Sequence, residues 1–331
     1  MPERLGPARA TPLFDKIALI GLGLIGSSLA HVARRQNLAR DVVGFDADED
    51  VRKRARAIQL CTIVDMAEQA AADADLVILC VPVGAMGEAA RDVVAHMKQG
   101  AILSDVGGVK AGVIAAVAPH LSNAMHFVPA HPVAGTEHSG PEAGFATLFH
   151  GRWCILTPPE GTDEKAIAQL TAFWEAAGSH VEIMNAAHHD LVLAITSHVP
   201  HLIAYNIVGT AADLEEVTQS EVIKFSAGGF RDFTRIAASD PTMWRDVFLN
   251  NKEAVLEVLG RFNEDLAALQ RMIRWGDGQG LFDLFSRTRA IRRGIIAAGQ
   301  ETAAPDFGRH IGEVNGPGAA SSQAPVAAPS K

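Results

Sequence analysis

The sequence predicts an α/β fold: an N-terminal domain built on a parallel sheet, followed by an all-helical C-terminal domain. Three observations predict it. Up to about residue 184, short apolar runs alternate with helical patterns, the order of a parallel sheet covered on both faces. After about Asn185 the strand signals stop and long helical patterns take over. A glycine-rich turn, Gly21-Leu-Gly23-Leu24-Ile25-Gly26, joins the first apolar run to the first helix, as in a dinucleotide-binding domain of the Rossmann type.

The candidate strands are Lys16–Gly21, Asp41–Asp46, Asp75–Val81, Ala101–Asp105, Met125–Pro129, Trp153–Thr157 and His180–Met184, with helices near 24–36, 48–58, 85–97 and 109–119 between the early ones. Helices are expected at His189–Ala212, Glu215–Phe225, Met243–Ile273 and Gly278–Ile296, the first kinked at Pro200. That first helix is apolar nearly all round, which predicts burial in a subunit interface and hence a homodimer. The domain boundaries are residues 15–184 and 185–299. Residues 1–14, punctuated by proline, and 300–331, rich in Ala, Pro, Gly and Ser, are expected to be disordered ends.

With 331 residues, about two domains are expected. A net charge of −9 and no basic run disfavour a nucleic-acid partner. Three cysteines without a CxxC pair argue against a disulfide scaffold and for a reducing cytoplasm. No uninterrupted apolar stretch of about 18 residues predicts a membrane span. The paired histidines His198 and His201 lack a third ligand of suitable spacing, so no metal is expected.

In the glycine turn, Gly21 permits the tight bend, Gly23 lets the backbone approach a pyrophosphate, and Gly26 allows close helix–strand packing. Leu24 and Ile25 open the helix whose N–H groups would face the anion. Asp46 ends the second strand about 20 residues past Gly26, where a carboxylate takes ribose hydroxyls. Its charge, with that of Asp48, favours NAD over NADP. Val81 and Pro82, and Asp105 and Gly107, follow two further strands, and ligands lie beyond such strand ends. Both loops are expected to line the nicotinamide half.

His131 lies in the loop HPVAGTEHSG, where an imidazole suits proton transfer near neutral pH; a loop histidine bonding backbone is the plainer alternative. Arg231 and Arg235 lie in GGFRDFTRIAASDPTMWRD, with Trp244 as an aromatic wall. Arginine suits planar, two-pronged carboxylate recognition. Asp232 and Asp240 are expected to neutralise one arginine, leaving Arg235 as the ligand.

This constellation resembles the prephenate/arogenate dehydrogenase family. The resemblance is carried by GLGLIGSSLA, CVPV, SDVGGVK, HPVAGTEHSG, LTP, HDLVLAITSHVPH, GGFRDFTRIAASDPTMWRD and FLNNKE, over about residues 16–275. It implies an NAD domain joined to a helical dimerisation domain. It also implies oxidative decarboxylation of prephenate or arogenate, in tyrosine biosynthesis. His131 matches the catalytic histidine that contacts the ring hydroxyl, and Arg235 the arginine for a substrate carboxylate. His201 joins them at the cleft, with Thr136, Glu137, Gly228, Asp232 and Trp244 lining or gating it. Gly21, Gly23, Gly26 and Asp46 match the cofactor site. Family members usually carry a serine where this chain has Gly108, a hydroxyl thought to orient the histidine and the nicotinamide. A base titrating at about 6–7 is expected. Two other readings remain at this stage: a β-hydroxyacid dehydrogenase or imine reductase, which usually has a catalytic lysine on the long helix, and a non-catalytic NAD-binding sensor. No lysine lies between Lys165 and Lys224.

Overall fold

The computed structural model describes residues 6–136, 138–218 and 228–297. Seven segments build the first sheet and its covering layers: β1 (Phe14–Ile20), α1 (Leu24–Arg35), β2 (Ala39–Phe45), α2 (Glu49–Ala57), β3 (Thr62–Ile63), α3 (Ala67–Ala71) and β4 (Leu76–Leu79). They continue with α4 (Met86–Val94), β5 (Ile102–Asp105), α5 (Ala111–Val117) and β6 (His126–Phe127). The six strands are all parallel, in the order β3-β2-β1-β4-β5-β6. That order reverses between β1 and β4, and the crevice at such a switch point is where dinucleotides bind. The central strands are buried on both faces (Ile17, Leu76, Val77 and Ile78 all 0% exposed), which explains their unbroken apolar runs.

A second sheet, not expected as such, holds β7 (Ala130–Pro132), β8 (Trp153–Leu156) and β9 (His180–Ile183), with α6 (Glu164–Ala176) between the last two. β7 runs antiparallel to β8, with His131 opposite Ile155. His131 therefore lies on a strand, not in the glycine-rich loop after it. Three residues between prolines and glycines are too short to show a strand period.

The expected irregular N-terminus is also corrected in part. Residues 6–13 are tied to the turn after α1, with Arg9 N–H donating to Gln36 O and Leu13 N–H to Leu38 O. Residues 1–5 and 298–331 lie outside the described residues.

The helical domain begins with α7 (Ala186–Leu193), a π-helical turn (Ala194–His198) and α8 (Val199–Thr218), then α9 (Gly228–Thr234), α10 (Pro241–Asn250), α11 (Lys252–Trp275) and α12 (Gly278–Ala297). The kink expected at Pro200 is realised as the π turn just before it, since proline supplies no N–H to the turn behind it. The helix expected over Met243–Ile273 breaks at Asn251 (φ −120, ψ 32), and Asp240 caps α10 by accepting from Met243 N–H. The helix expected at Glu215–Phe225 falls largely on residues 219–227, outside the described ones.

By length and composition the 29-residue run Ala186–Leu214 is apolar enough to cross a membrane, contrary to the reading of the sequence. Its inner side, however, carries Asp190, His189 and His198, at most 4% exposed. Only 28% of its most apolar window is buried within the chain. Leu191, Ile195, Ile207, Val208 and Leu214 stay exposed, as do Trp275, Phe282, Phe285 and Ile291 on α11 and α12.

Candidate active site

The glycine turn has the geometry of a phosphate cradle. Gly21 has φ +103, and a Cβ there would meet Cys80 O at 2.7 Å. A Cβ on Gly26 would meet Gly21 O at 2.0 Å, whereas one on Gly23 would meet nothing within 4 Å. Space is thus tight where helix and strand pack and open where an anion would sit. Gly23 caps α1 without a side-chain bond, and no acidic residue occupies the first turn. The N–H groups of Leu24 and Ile25 at that helix start are oriented for an anion. Asp46 braces the turn: Oδ2 accepts from Leu22 N–H at 2.8 Å and Oδ1 from Asp48 N–H at 2.9 Å. Each oxygen keeps a lone pair for a ribose hydroxyl. These residues fit a dinucleotide.

Asp105, expected on the cofactor wall, is corrected. It is 0% exposed. Its carboxylate accepts from Gly107 N–H (2.8 Å), Ala130 N–H (3.3 Å) and the Lys110 ammonium. Lys110, also 0% exposed, donates to Ala130 O at 2.6 Å. This buried pair clamps the end of β5 to β7 and so fixes the strand that carries His131. A Cβ on Gly107 would lie 3.1 Å from Asp105 Oδ2, so that glycine serves the clamp's turn. Val81 and Pro82 lead into the turn whose Gly84 N–H donates to Asp246 Oδ2 at 3.2 Å.

His131 is half-buried at the junction of the two domains. Its Nδ1 lies 2.8 Å from His189 Nε2, and His189 Nδ1 lies 2.8 Å from Asp190 Oδ1. Asp190 accepts Lys110 N–H and Ala111 N–H, one on each oxygen. Asn251 donates to Asp190 O at 2.8 Å, and its amide nitrogen lies 3.1 Å from His198 Nδ1. Burial, reinforced by His189, Lys110 and His198, holds the His131 imidazole well below its ordinary value of 6.5. The surroundings of this ring therefore favour its neutral form.

From His131 a run of contacts leads to His201 and Trp244, with Arg235 within electrostatic reach of His201. A Cβ on Gly108 would lie 3.7 Å from His131 Nε2 and 3.9 Å from Val247 Cγ2. His198 bonds the Gly108 backbone. Its ring meets Trp244 edge-on at 6.1 Å, and His201 stacks on Trp244 at 3.7 Å. His201 donates from Nδ1 to Ser197 O at 2.8 Å, which fixes the ring. The Arg235 guanidinium is near enough to help lower the His201 pKa, after burial.

The other expected residues stand apart from this run. Asp232 is exposed and lies 3.4 Å from Arg231 Nε, in a solvent-exposed pair. Gly228 opens α9 beside this pair. Thr136 Oγ1 accepts His138 N–H at 3.3 Å within the loop after β7. Glu137 lies outside the described residues. Among the described residues no group of three or more metal-ligating side chains forms.

His189, Asp190, His198, Asn251 and Lys110 were not singled out as site residues. On a regular helix His201 falls about 120° around from His189. The π turn acts as about one inserted residue, which brings the two to about 20°. Sequence spacing carries no sign of that insertion.

The family profile described as "Prephenate dehydrogenase, nucleotide-binding domain" matches residues 29–183, and "Prephenate dehydrogenase, dimerization domain" matches residues 185–287. The chain belongs to the prephenate dehydrogenase family. It is 44% identical over 281 residues to a cyclohexadienyl dehydrogenase of Zymomonas mobilis, covering 85% of this chain and 96% of that protein. It is 32% identical to a prephenate dehydrogenase of Bacillus subtilis, covering 88% and 79%. Among solved structures, the prephenate dehydrogenase of Aquifex aeolicus, in complex with hydroxyphenyl propionate and NAD⁺, superposes with a TM-score of 0.79 at 32% identity. The match covers 85% of this chain and 98% of that one. An arogenate dehydrogenase of Synechocystis gives 0.71 at 26% identity, covering 84% and 99%. Family membership makes the chain an oxidoreductase, and the boundary between its two domains falls where β9 gives way to α7.

Proposed function

We propose that this prephenate dehydrogenase family member carries out NAD-dependent oxidative decarboxylation of prephenate, arogenate or both, yielding 4-hydroxyphenylpyruvate or tyrosine. The observation that carries this reading is the run of contacts from His131 past Gly108 and His198 to Trp244 and His201, with Arg235 in electrostatic reach of His201. It stands beyond the carboxyl ends of β4 and β5, beside the phosphate cradle. A bound nicotinamide supplies the hydride acceptor.

The chain's own residues do the rest. His131, neutral near pH 7, accepts the proton of the ring hydroxyl as a carbonyl forms. Arg235 neutralises and orients a carboxylate of the substrate. His201, backed by the buried Trp244 on which it stacks, gives the ring an aromatic wall. Loss of the ring carboxylate as CO₂ then makes the ring aromatic, which renders the step irreversible in practice.

The reading extends to a homodimer through the helical domain, whose exposed apolar side chains on α8, α11 and α12 suit a second copy. It also extends to a cytoplasmic setting, which suits three free cysteines. The test is NADH formation by the purified chain with prephenate and with arogenate, each with NAD⁺ and NADP⁺. Turnover with at least one substrate and a preference for NAD⁺ is expected. No turnover with either substrate overturns the reading.

A further inference from the structure

We propose that His189 and Asp190 form a positioning relay, which holds His131 with its proton on Nδ1 and its Nε2 lone pair turned to Gly108 and the cleft. The proposal rests on the function above and names the atom that does its proton chemistry.

The donors around the two rings fix the tautomers. Asp190 Oδ1 accepts Lys110 N–H at 2.8 Å, and Oδ2 accepts Ala111 N–H at 2.9 Å. Both oxygens already act as acceptors, so the 2.8 Å contact to His189 Nδ1 takes its proton from the imidazole. A neutral imidazole carries one N–H. With that proton on Nδ1, His189 Nε2 is an acceptor, and the 2.8 Å contact to His131 Nδ1 takes its proton from His131. Only Nε2 of His131 is then left to receive a proton. These tautomers are assigned from the network. Burial supports the neutral form of both rings, since it lowers the pKa of each.

The relay is rigid. His189 is 0% exposed and Asp190 4%. Asp190 is further held by Asn251, from the break between α10 and α11. The titratable groups packed around His131 are Lys110 and Asp105 from the β5–α5 segment, Cys154 from β8, His189 and Asp190 from α7, and His198 from the π turn. In the proton step the substrate O–H bond breaks, an N–H bond forms on Nε2, and the freed pair becomes the carbonyl as the ring hydride leaves to the nicotinamide.

The test uses the full chain labelled with ¹⁵N-histidine. A two-bond ¹⁵N–¹H spectrum of the free protein near neutral pH reads each tautomer, and His131→Asn assigns the His131 signals. The Nδ1–H form is expected at His131. In His189→Ala that signature is lost, and kcat falls by about 10- to 100-fold, part of the about 10²–10⁴ a positioned base contributes. KM for the substrate and for NAD⁺ stays within about twofold. His189→Gln, whose amide carries one acceptor and a donor, recovers part of kcat. An Nε2–H signature at His131 in the unsubstituted protein overturns the relay, as does near-normal kcat in His189→Ala. If His189→Ala does not fold, the unsubstituted spectrum and His189→Gln decide. The spectrum stands without turnover, so failure of the relay is distinguishable from absence of dehydrogenase activity.

Discussion

Asp246 on α10 accepts the backbone N–H of Gly84, which follows β4 in the other domain, through Oδ2 at 3.2 Å. The same carboxylate takes Arg245 at 2.7 Å and is only 9% exposed. It joins the helix that carries Trp244 and Val247 to the loop beside the nicotinamide half. Asp246→Ala leaves a donor without its partner at that joint, which costs about 1–3 kcal/mol. The urea midpoint should fall accordingly, and KM for the substrate should rise as Trp244 loses its reference. A variant unchanged in both would remove the joint from the account.

His131→Asn should lower turnover by about 10²–10⁴ and abolish the acidic limb of the pH profile. That limb should lie below 6.5 in the unsubstituted enzyme, because burial, then His189, Lys110 and His198, disfavour the charged ring. A limb at or above 6.5 would contradict the placement of His131 as the base.

Arg235→Ala should act mainly on KM for the substrate, raising it by about one order of magnitude or more, since a charge-assisted bond is worth about 1.5–3 kcal/mol. KM for NAD⁺ should hold. An unchanged substrate KM would exclude Arg235 as the carboxylate anchor.

Gly108 is a place where this chain departs from the serine usual in the family. Its backbone does not sit at positive φ, and a Cβ there would make ordinary contacts, 3.7 Å from His131 Nε2 at the nearest. Gly108→Ser should therefore fold with unchanged or slightly higher stability, by up to about 1 kcal/mol, read as an unchanged or slightly raised Tm. It should raise kcat by up to about tenfold, through one added hydrogen bond near the base. A loss of Tm, or a marked loss of kcat, would show that the bare backbone is needed.

Acid should unfold the protein early. His131, His189, His198 and His201 are all lowered from 6.5, by burial first in each case, and His198 is pushed down to about 4. The unfolded chain therefore binds protons that the folded one refuses. Stability is full above about 6.5 and is lost as pH falls toward about 4. Thermal midpoints across that range should fall steeply, and His198→Asn should flatten the slope. A midpoint constant between about pH 7 and 5 would show that these rings are not held neutral.

The parallel sheet, the phosphate cradle and the change to helices near residue 185 were legible in the order of residues. Their signals are local: unbroken apolar runs, a glycine spacing, the loss of strand patterns. His131, Arg235, His201 and Trp244 stand out as candidates in the sequence through motifs rather than periodicity. What surrounds His131 was not. Asp105 looked like a cofactor ligand and is a buried clamp. His189 and Asp190 looked like a helix start; His189 touches the His131 imidazole and Asp190 holds His189. Only the tertiary structure decided these, because they depend on a π turn that rotates one helix, a break at Asn251 and a strand of three residues. Pro200 marks the place of the π turn but not its extra residue, and the break and the short strand are set by packing between segments far apart in the chain, for which no local sequence pattern exists.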